Sequence, residues 1–366
     1  MNGNVIELHD IAVTYDGRTV LEVPHLAVRR GEVLTLLGEN GSGKTTLLRL
    51  LGLLVRPVRG RMVFDGEEVD FRDARRLLEL RRRMAAVMQE PLLCRMSVRR
   101  NVSLGLRFRR WPKAEAERCV NAWLGRLSIS HLGDRSASNL SGGEAQRTNL
   151  ARAMVLDPEV LFLDEPFAAL DAPTRQSLLQ EFQNVLADSM VTAVFATHDR
   201  GEALGLGGRV AVLMRGRVAQ VGSAETLFAR PEQVEVARFV GIETLIPGRV
   251  TGRKNGLVQV DCGGLHLEAE GDWEAGEEVY VAVRPDEIDL HDEGSSAEAD
   301  ALNVIAGRVT RTVPAETHYR VEIDCGVGVV AVVSRASFRQ MPLEEGRRVK
   351  ATFSARAAHL IRRARD

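Results

Sequence analysis

Residues 38–46 read GENGSGKTT and follow the apolar run EVLTLL at 32–37. Helical spacing then resumes in KTTLLRLLGLLV (44–55). A loose turn would call for the glycines but not for the company they keep. The order Gly38-x-x-x-x-Gly43-Lys44-Thr45, set between a strand and a helix, is the P-loop pattern. Glycines at 38, 41 and 43 let backbone N–H groups converge on phosphate oxygens, and the following helix points its positive end at the anion. Lys44 supplies a cation for the outer phosphates, and the Thr45 hydroxyl can ligate Mg²⁺. Asn40, Ser42 and Thr46 complete the run expected to touch nucleotide.

A second element supports this reading. EVLFLDEP (159–166) ends an apolar strand in two adjacent acids. Two acids opening a loop mean little alone. Beside a phosphate cradle they fit a division of labour in which Asp164 serves Mg²⁺ and Glu165 orients or deprotonates the attacking water. TAVFATHD (192–199) is a further apolar strand, and 173–188 between the two has helical texture. Such alternation up to about residue 240 implies a parallel sheet covered by helices, an α/β P-loop fold. A stretch at 113–135 with helical patterning and little strand character reads as an inserted helical region.

The 366 residues allow two or three domains, and the composition, 45% hydrophobic and 27% charged, is that of a soluble protein. A formal net charge of -1 gives no electrostatic argument for nucleic acid or an acidic membrane, and RRLLELRRR (75–83) reads as a solvated helix face. Cys94, Cys119, Cys262 and Cys325 lack metal or redox spacing, so reduced thiols are expected. The polar start argues against a signal peptide, and no run approaches the roughly 20 apolar residues of a membrane span. A membrane role would need another chain to supply the spans.

After Gly241 short Val-rich strands and glycine turns replace long helices, and the chain echoes itself. GRVTGR (248–253) returns as GRVTRT (307–312), and VQVDCGG (258–264) as VEIDCGV (321–327). WEAGEEVYVAVRP (273–285) matches LEEGRRVKATFSA (343–355) in outline. The expected organisation is an α/β domain over 1–240, its helical subdomain at about 90–138, then an all-β domain over 241–366. The latter holds two related β-modules, about 245–290 and 302–364, joined by the polar linker HDEGSSAEADA (291–301).

With NLSGGEAQR (139–147) the sequence resembles the ATP-binding subunits of ABC transporters, whose signature usually reads LSGGQ. The resemblance implies that Ser141, Gly142 and Gly143 meet the γ-phosphate held in a partner's cradle, so that two copies close head-to-tail over two ATP. Glu144 replaces the usual glutamine; a carboxylate near phosphate is repelled unless turned away, so no ligand role falls to it. Tyr15 matches the aromatic that stacks on adenine, and Gln89 the glutamine that meets Mg²⁺ and the attacking water. Asp171 matches a dimer-contact aspartate, and His198 the histidine that contacts the γ-phosphate. Alone, Tyr15 would be packing and His198 a surface or capping residue. The implied setting is a homodimer on the cytoplasmic face of the inner membrane. Its partners there are two permease subunits, docked around residues 89–110, and an extracytoplasmic substrate-binding protein. Leu92, Leu93 and Met96 in that stretch could equally be core.

The C-terminal half resembles the OB-like regulatory extension of importer ATPases, with VAVRPDEIDL (281–290) carrying its Arg-Pro-acid pattern. Its second module is more like that of molybdate and tungstate importers, where such extensions can bind oxyanion. Ser334, Arg335 and Ser337 in VSRAS are candidate donors to a regulatory oxyanion. A hydroxyl-bearing turn beside a solvated arginine explains them as well. Sulfate, sugar, polyamine or iron import keeps the same motor with another cargo. A soluble ABC ATPase acting on DNA or ribosomes lacks its usual insertions here, and a nucleic-acid-binding OB module lacks its aromatic platforms.

Overall fold

The computed structural model describes residues 3–294 and 303–363. Contacts divide the chain between Leu227 and Phe228, ahead of the change in sequence texture at Gly241. The first unit is built on ten strands. They are β1 (Asn4–Tyr15), β2 (Arg18–Arg29), β3 (Val33–Leu37), β4 (Arg59–Phe64), β5 (Glu67–Glu68), β6 (Met84–Val87), β7 (Val160–Asp164), β8 (Thr192–Thr197), β9 (Arg209–Met214) and β10 (Arg217–Ser223). They form one sheet in the order β5-β4-β1-β2-β10-β9-β3-β8-β7-β6.

The parallel sheet expected from strand–helix alternation is the run β6-β7-β8-β3-β9. β5, β4, β1 and β2 make an antiparallel wing, and β10, antiparallel to β9, joins it by a single parallel bridge, Arg217 with Glu22. Its cause is local. Asp16-Gly17, Asp65-Gly66 and Arg215-Gly216 all hold positive φ, and such two-residue turns can join only antiparallel neighbours.

Among the described residues the α-helices lying wholly in this unit are α1 (Lys44–Leu51), α2 (Ala74–Arg82), α3 (Val98–Phe108), α4 (Lys113–Arg126), α5 (Gly142–Met154), α6 (Ala172–Ala187) and α7 (Arg200–Leu206). The pleat of β7 sorts its side chains to two faces. Val160 and Phe162 pack with α1 on one, Leu161 and Leu163 with the α5–α6 layer on the other. Val98, Val102, Leu106, Val120, Leu124 and Leu150 join α3, α4 and α5 into a helical subdomain.

α8 (Ala224–Ala229) crosses the divide, and α9 (Val234–Val240) opens the second unit. There follow β11 (Thr244–Lys254), β12 (Leu257–Asp261), β13 (His266–Ala269), β14 (Glu278–Val283), β15 (Asp289–Asp292), β16 (Asn303–Pro314), β17 (His318–Asp324), β18 (Gly328–Ser334), α10 (Arg335–Gln340), β19 (Arg348–Phe353) and β20 (His359–Arg362). They build two five-stranded sheets, β13-β12-β11-β14-β20 and β15-β19-β16-β17-β18.

The two repeats are therefore not separate modules. Each lends its last strand to the other: β20 pairs with β14, and β15 with β19. This corrects the module limits read from the repeats. It also shortens the linker, because His291 and Asp292 pair with Lys350 and Val349, while 295–301 lie outside the described residues. One apolar core, from Ile246 and Val281 to Val321 and Leu360, serves both sheets.

A polar clasp repeats the exchange. Buried Thr244, at the start of β11, accepts a hydrogen bond at 2.9 Å from the Val330 N–H in β18. Buried Asn303, at the start of β16, accepts from the Glu268 N–H in β13 at 2.7 Å and donates to the Glu268 carbonyl at 2.9 Å. Each side chain pairs with backbone where the neighbouring strand has no further partner.

Candidate nucleotide site

The cradle lies between the end of β3 and the start of α1. Gly38 has no room for a side chain: a Cβ there would stand 2.5 Å from the Leu213 carbonyl oxygen and 2.5 Å from Ser42 Oγ. Gly43 caps α1 at φ 105°, in the left-handed region that glycine tolerates. Within the loop the Ser42 N–H donates to the Glu39 carbonyl at 3.1 Å, turning the chain back ahead of α1.

Lys44 is 5% exposed and its charge is claimed three ways. Its Nζ donates to the carbonyls of Gly38 at 2.8 Å and Glu39 at 3.1 Å, and stands 3.3 Å from Glu165 Oε1. The other oxygen of Glu165 is 3.1 Å from Nδ1 of His198. Glu165 itself sits at φ 44°, a left-handed turn just after β7. Lys44, Glu165 and His198, far apart in sequence, form one connected chain.

Thr45 Oγ1 donates to Asp164 Oδ1 at 3.1 Å. Burial pushes the Asp164 carboxyl above the usual aspartate range, and the Thr45 hydrogen bond opposes that shift. Ser42 Oγ is buried without a partner among the described residues. Tyr15, Asn40, Gly41, Thr46 and Gln89 join Lys44, Thr45, Asp164 and Glu165 around a cavity of about 460 Å³. Tyr15 is 42% exposed, its ring uncovered.

Ser141, Gly142 and Gly143 do not line this cavity. They begin α5, with Ser141 as N-cap. Glu144 closes a capping box: its carboxylate accepts from the Ser141 N–H at 2.8 Å, while its own N–H donates to Ser141 Oγ at 3.4 Å. The Ser141 N–H holds the Glu144 carboxyl below the usual glutamate range. Glu144 is therefore folded onto its own helix, with Arg135 at 3.8 Å.

The geometry agrees with comparison to known proteins. Residues 21–168 match the family model for ABC transporters, and 281–361 that for the TOBE domain. The chain is 36% identical over 337 residues to the molybdate/tungstate import ATP-binding protein WtpC of Pyrococcus horikoshii, covering 91% of this chain and 93% of that one. The chain belongs to the ATP-binding subunits of ABC transporters. It is an ATPase of the P-loop class. The spermidine/putrescine import ATP-binding protein PotA of Oleidesulfovibrio alaskensis is 37% identical over 291 residues, 78% of this chain and 77% of that one. Other relatives are named for iron and for sulfate or thiosulfate import. Among solved structures, cbiO1 of Clostridium perfringens, part of the ABC transporter complex cbiONQ, superposes with a TM-score of 0.59 at 31% identity. That match covers 66% of this chain and 96% of the other.

The remaining expected residues have local partners in this ABC subunit. The Asp171 carboxylate caps α6 by accepting from the Thr174 N–H at 3.3 Å. Ser334 caps α10: its Oγ accepts from the Ser337 N–H at 3.0 Å and lies 2.9 Å from Ser337 Oγ. Arg335 donates to the Ala315 carbonyl at 3.0 Å. These three make a hydroxyl-bonded turn. Glu202 escaped the sequence reading. It is 5% exposed and takes a 2.6 Å hydrogen bond from Thr197, whose oxygen accepts from the Asp199 N–H, so it braces the backbone on either side of His198. Nothing at sequence level marks it beyond its place in α7. Among the described residues no helix is long and apolar enough to cross a membrane.

Proposed function

We propose that this chain is the Mg²⁺-dependent, ATP-hydrolysing subunit of an importer for an oxyanion, tungstate or molybdate. It acts as a homodimer beneath two permease subunits, at the cytoplasmic face of the membrane, with cargo delivered by an extracytoplasmic binding protein. The observation that carries the motor is the Lys44–Glu165–His198 chain set against the Thr45–Asp164 pair. The oxygen donors of Thr45, Asp164 and Gln89 suit a hard divalent cation. Held by these residues, such an ion would supply positive charge against the phosphates of a bound nucleotide.

Tyr15 offers its uncovered ring to adenine, and the loop N–H groups with Ser42 Oγ hold phosphate oxygens. Lys44 exchanges Glu165 for the outer phosphates as nucleotide enters. Glu165, released from the lysine, takes a proton from the attacking water while His198 keeps its second oxygen oriented. Ser141, Gly142 and Gly143 complete the site of the opposite copy. Catalysis of this kind rests on positioning and on stabilising charge at the transferring phosphoryl group.

The cargo reading rests on the molybdate/tungstate relative, whose similarity runs through both units. The polyamine relative, at like identity over less of the chain, keeps a second cargo in view. The Ser334–Ser337 turn satisfies its own hydroxyls, so no anion is placed there. The deciding experiment is ATPase activity of the reconstituted complex, with each candidate cargo delivered by its binding protein. Stimulation by tungstate or molybdate supports the reading; stimulation by spermidine, sulfate or iron alone refutes the cargo and keeps the motor.

A further inference from the structure

The segment from Gln89 to Ser97 links the sheet to α3 without a regular element of its own. Its backbone is held from one side. Asn101, fully buried on α3, accepts at Oδ1 from the Cys94 N–H at 2.8 Å. Its Nδ2 faces the carbonyls of Cys94, Met96 and Ser97 at 3.0, 3.3 and 3.2 Å. Arg152, in the last turn of α5, takes the earlier part. It donates to the Leu92 carbonyl at 3.0 Å through Nη1, and through Nη2 to the Pro91 carbonyl at 2.8 Å and Asn149 Oδ1 at 2.7 Å.

Leu92 sits at φ 42°, which a leucine keeps only when its surroundings hold it there. Its side chain is 67% exposed, so packing does not do the holding. The guanidinium does. Arg152 makes no ion pair among the described residues, and burial holds its pKa below the usual guanidinium value. A half-buried cation facing only neutral oxygens is a costly stabiliser. What arginine adds over an apolar filler is a planar fork that fixes two successive carbonyls at once. The helix that holds this loop at its last turn carries Ser141–Gly143 at its first.

We infer that Arg152 is a positioning residue that locks the Pro91–Leu92 backbone to the signature helix. The placement of Gln89, three residues before Leu92, then depends on that guanidinium fork. The inference rests on the nucleotide-site reading of Gln89 and deepens it by naming the side chain that keeps Gln89 in place.

A double-mutant cycle on the full chain tests it, using Gln89→Ala, Arg152→Met and their combination. Arg152→Met should lower kcat roughly 10- to 100-fold, the cost of a misplaced group, and leave the Kd for ATP within about twofold. Added to Gln89→Ala it should cost nothing more, because both act through one atom set. Arg152→Lys, which keeps a donor but not the fork, should recover part of kcat. Losses that multiply in the double variant overturn the positioning role, as does full turnover in Arg152→Met beside an impaired Gln89→Ala. Gln89→Ala at undiminished turnover overturns instead the underlying reading of Gln89. Should Arg152→Met fail to fold, Arg152→Gln enters the same cycle.

Discussion

Replacing Glu165 with glutamine should do two things at once, and the second is the sharper test. Hydrolysis should fall by about 10²–10⁴, the usual contribution of a positioned base. ATP binding should tighten. Glu165 Oε1 lies 3.3 Å from Lys44 Nζ, and both side chains are largely shielded, at 14% and 5% exposure. At an effective dielectric of about 20 that separation gives a gross attraction of about 5 kcal/mol. Most of it repays desolvation, and the carbonyls of Gly38 and Glu39 still hold the lysine. The net loss on breaking such a charge-assisted contact is about 1.5–3 kcal/mol. Incoming triphosphate must meet that cost in the natural chain but not in Glu165→Gln, so the Kd should fall roughly 10- to 150-fold. Fluorescent-nucleotide titration of both proteins with Mg²⁺ measures it directly. An unchanged or weakened Kd, with hydrolysis lost, would show that the lysine–glutamate contact does not oppose nucleotide and would refute this reasoning.

Three other outcomes follow from the same geometry. Glu144→Gln keeps the capping box but removes a charge that the Ser141 N–H and the helix N-terminus favour, so the melting temperature should fall slightly while the KM for ATP drops a few-fold. A raised KM would mean that the carboxylate aids phosphate binding rather than competing with it. Asp164 takes up its proton at a higher pH than the free side chain, near 3.9, because burial disfavours its charge. The Mg²⁺ concentration for half-maximal ATPase should therefore climb as pH falls toward that range, while the metal-free fold loses stability as pH rises through it. Mg²⁺ titrations at several pH values check the first, and melting without Mg²⁺ the second. Gly248→Ala would set a Cβ 2.7 Å from both Cys262 Sγ and Val260 Cγ1, costing about 1–3 kcal/mol by thermal melting. Cys262→Ala in the same chain should restore part of it.

Much of the site could be read from the sequence because its chemistry is carried by short, contiguous motifs. Gly38 to Thr46 and Asp164-Glu165 each announce a phosphate or metal role within a few residues. The contact of Lys44 with Glu165 could not be read, since it depends on β3 and β7 flanking β8 in one sheet. The antiparallel wing was legible after all: Asp16-Gly17 and Asp65-Gly66 are hairpin turns in plain view. So was the capping box, Ser-x-x-Glu at 141–144. Arg152 was not, because a basic residue in the last helical turn usually marks only the helix dipole. The exchange of β15 and β20 was hidden for a deeper reason. Alternating apolar residues state which face of a strand is buried and are silent about which strand lies alongside.

That exchange sets a timetable for synthesis. The first β-repeat has all its own sequence by Asp292, yet the edge of β14 stays open until His359–Arg362 arrives to cover it. The second repeat needs the first one's Asp289–Asp292 just as much. Neither half can mature alone on the ribosome, and a stop codon before position 359 would leave the edge of β14 bare, of the kind that recruits strands from other molecules. Loss of a few residues near the C-terminus should thus be felt across the whole β-rich half, as aggregation rather than as a mild local defect.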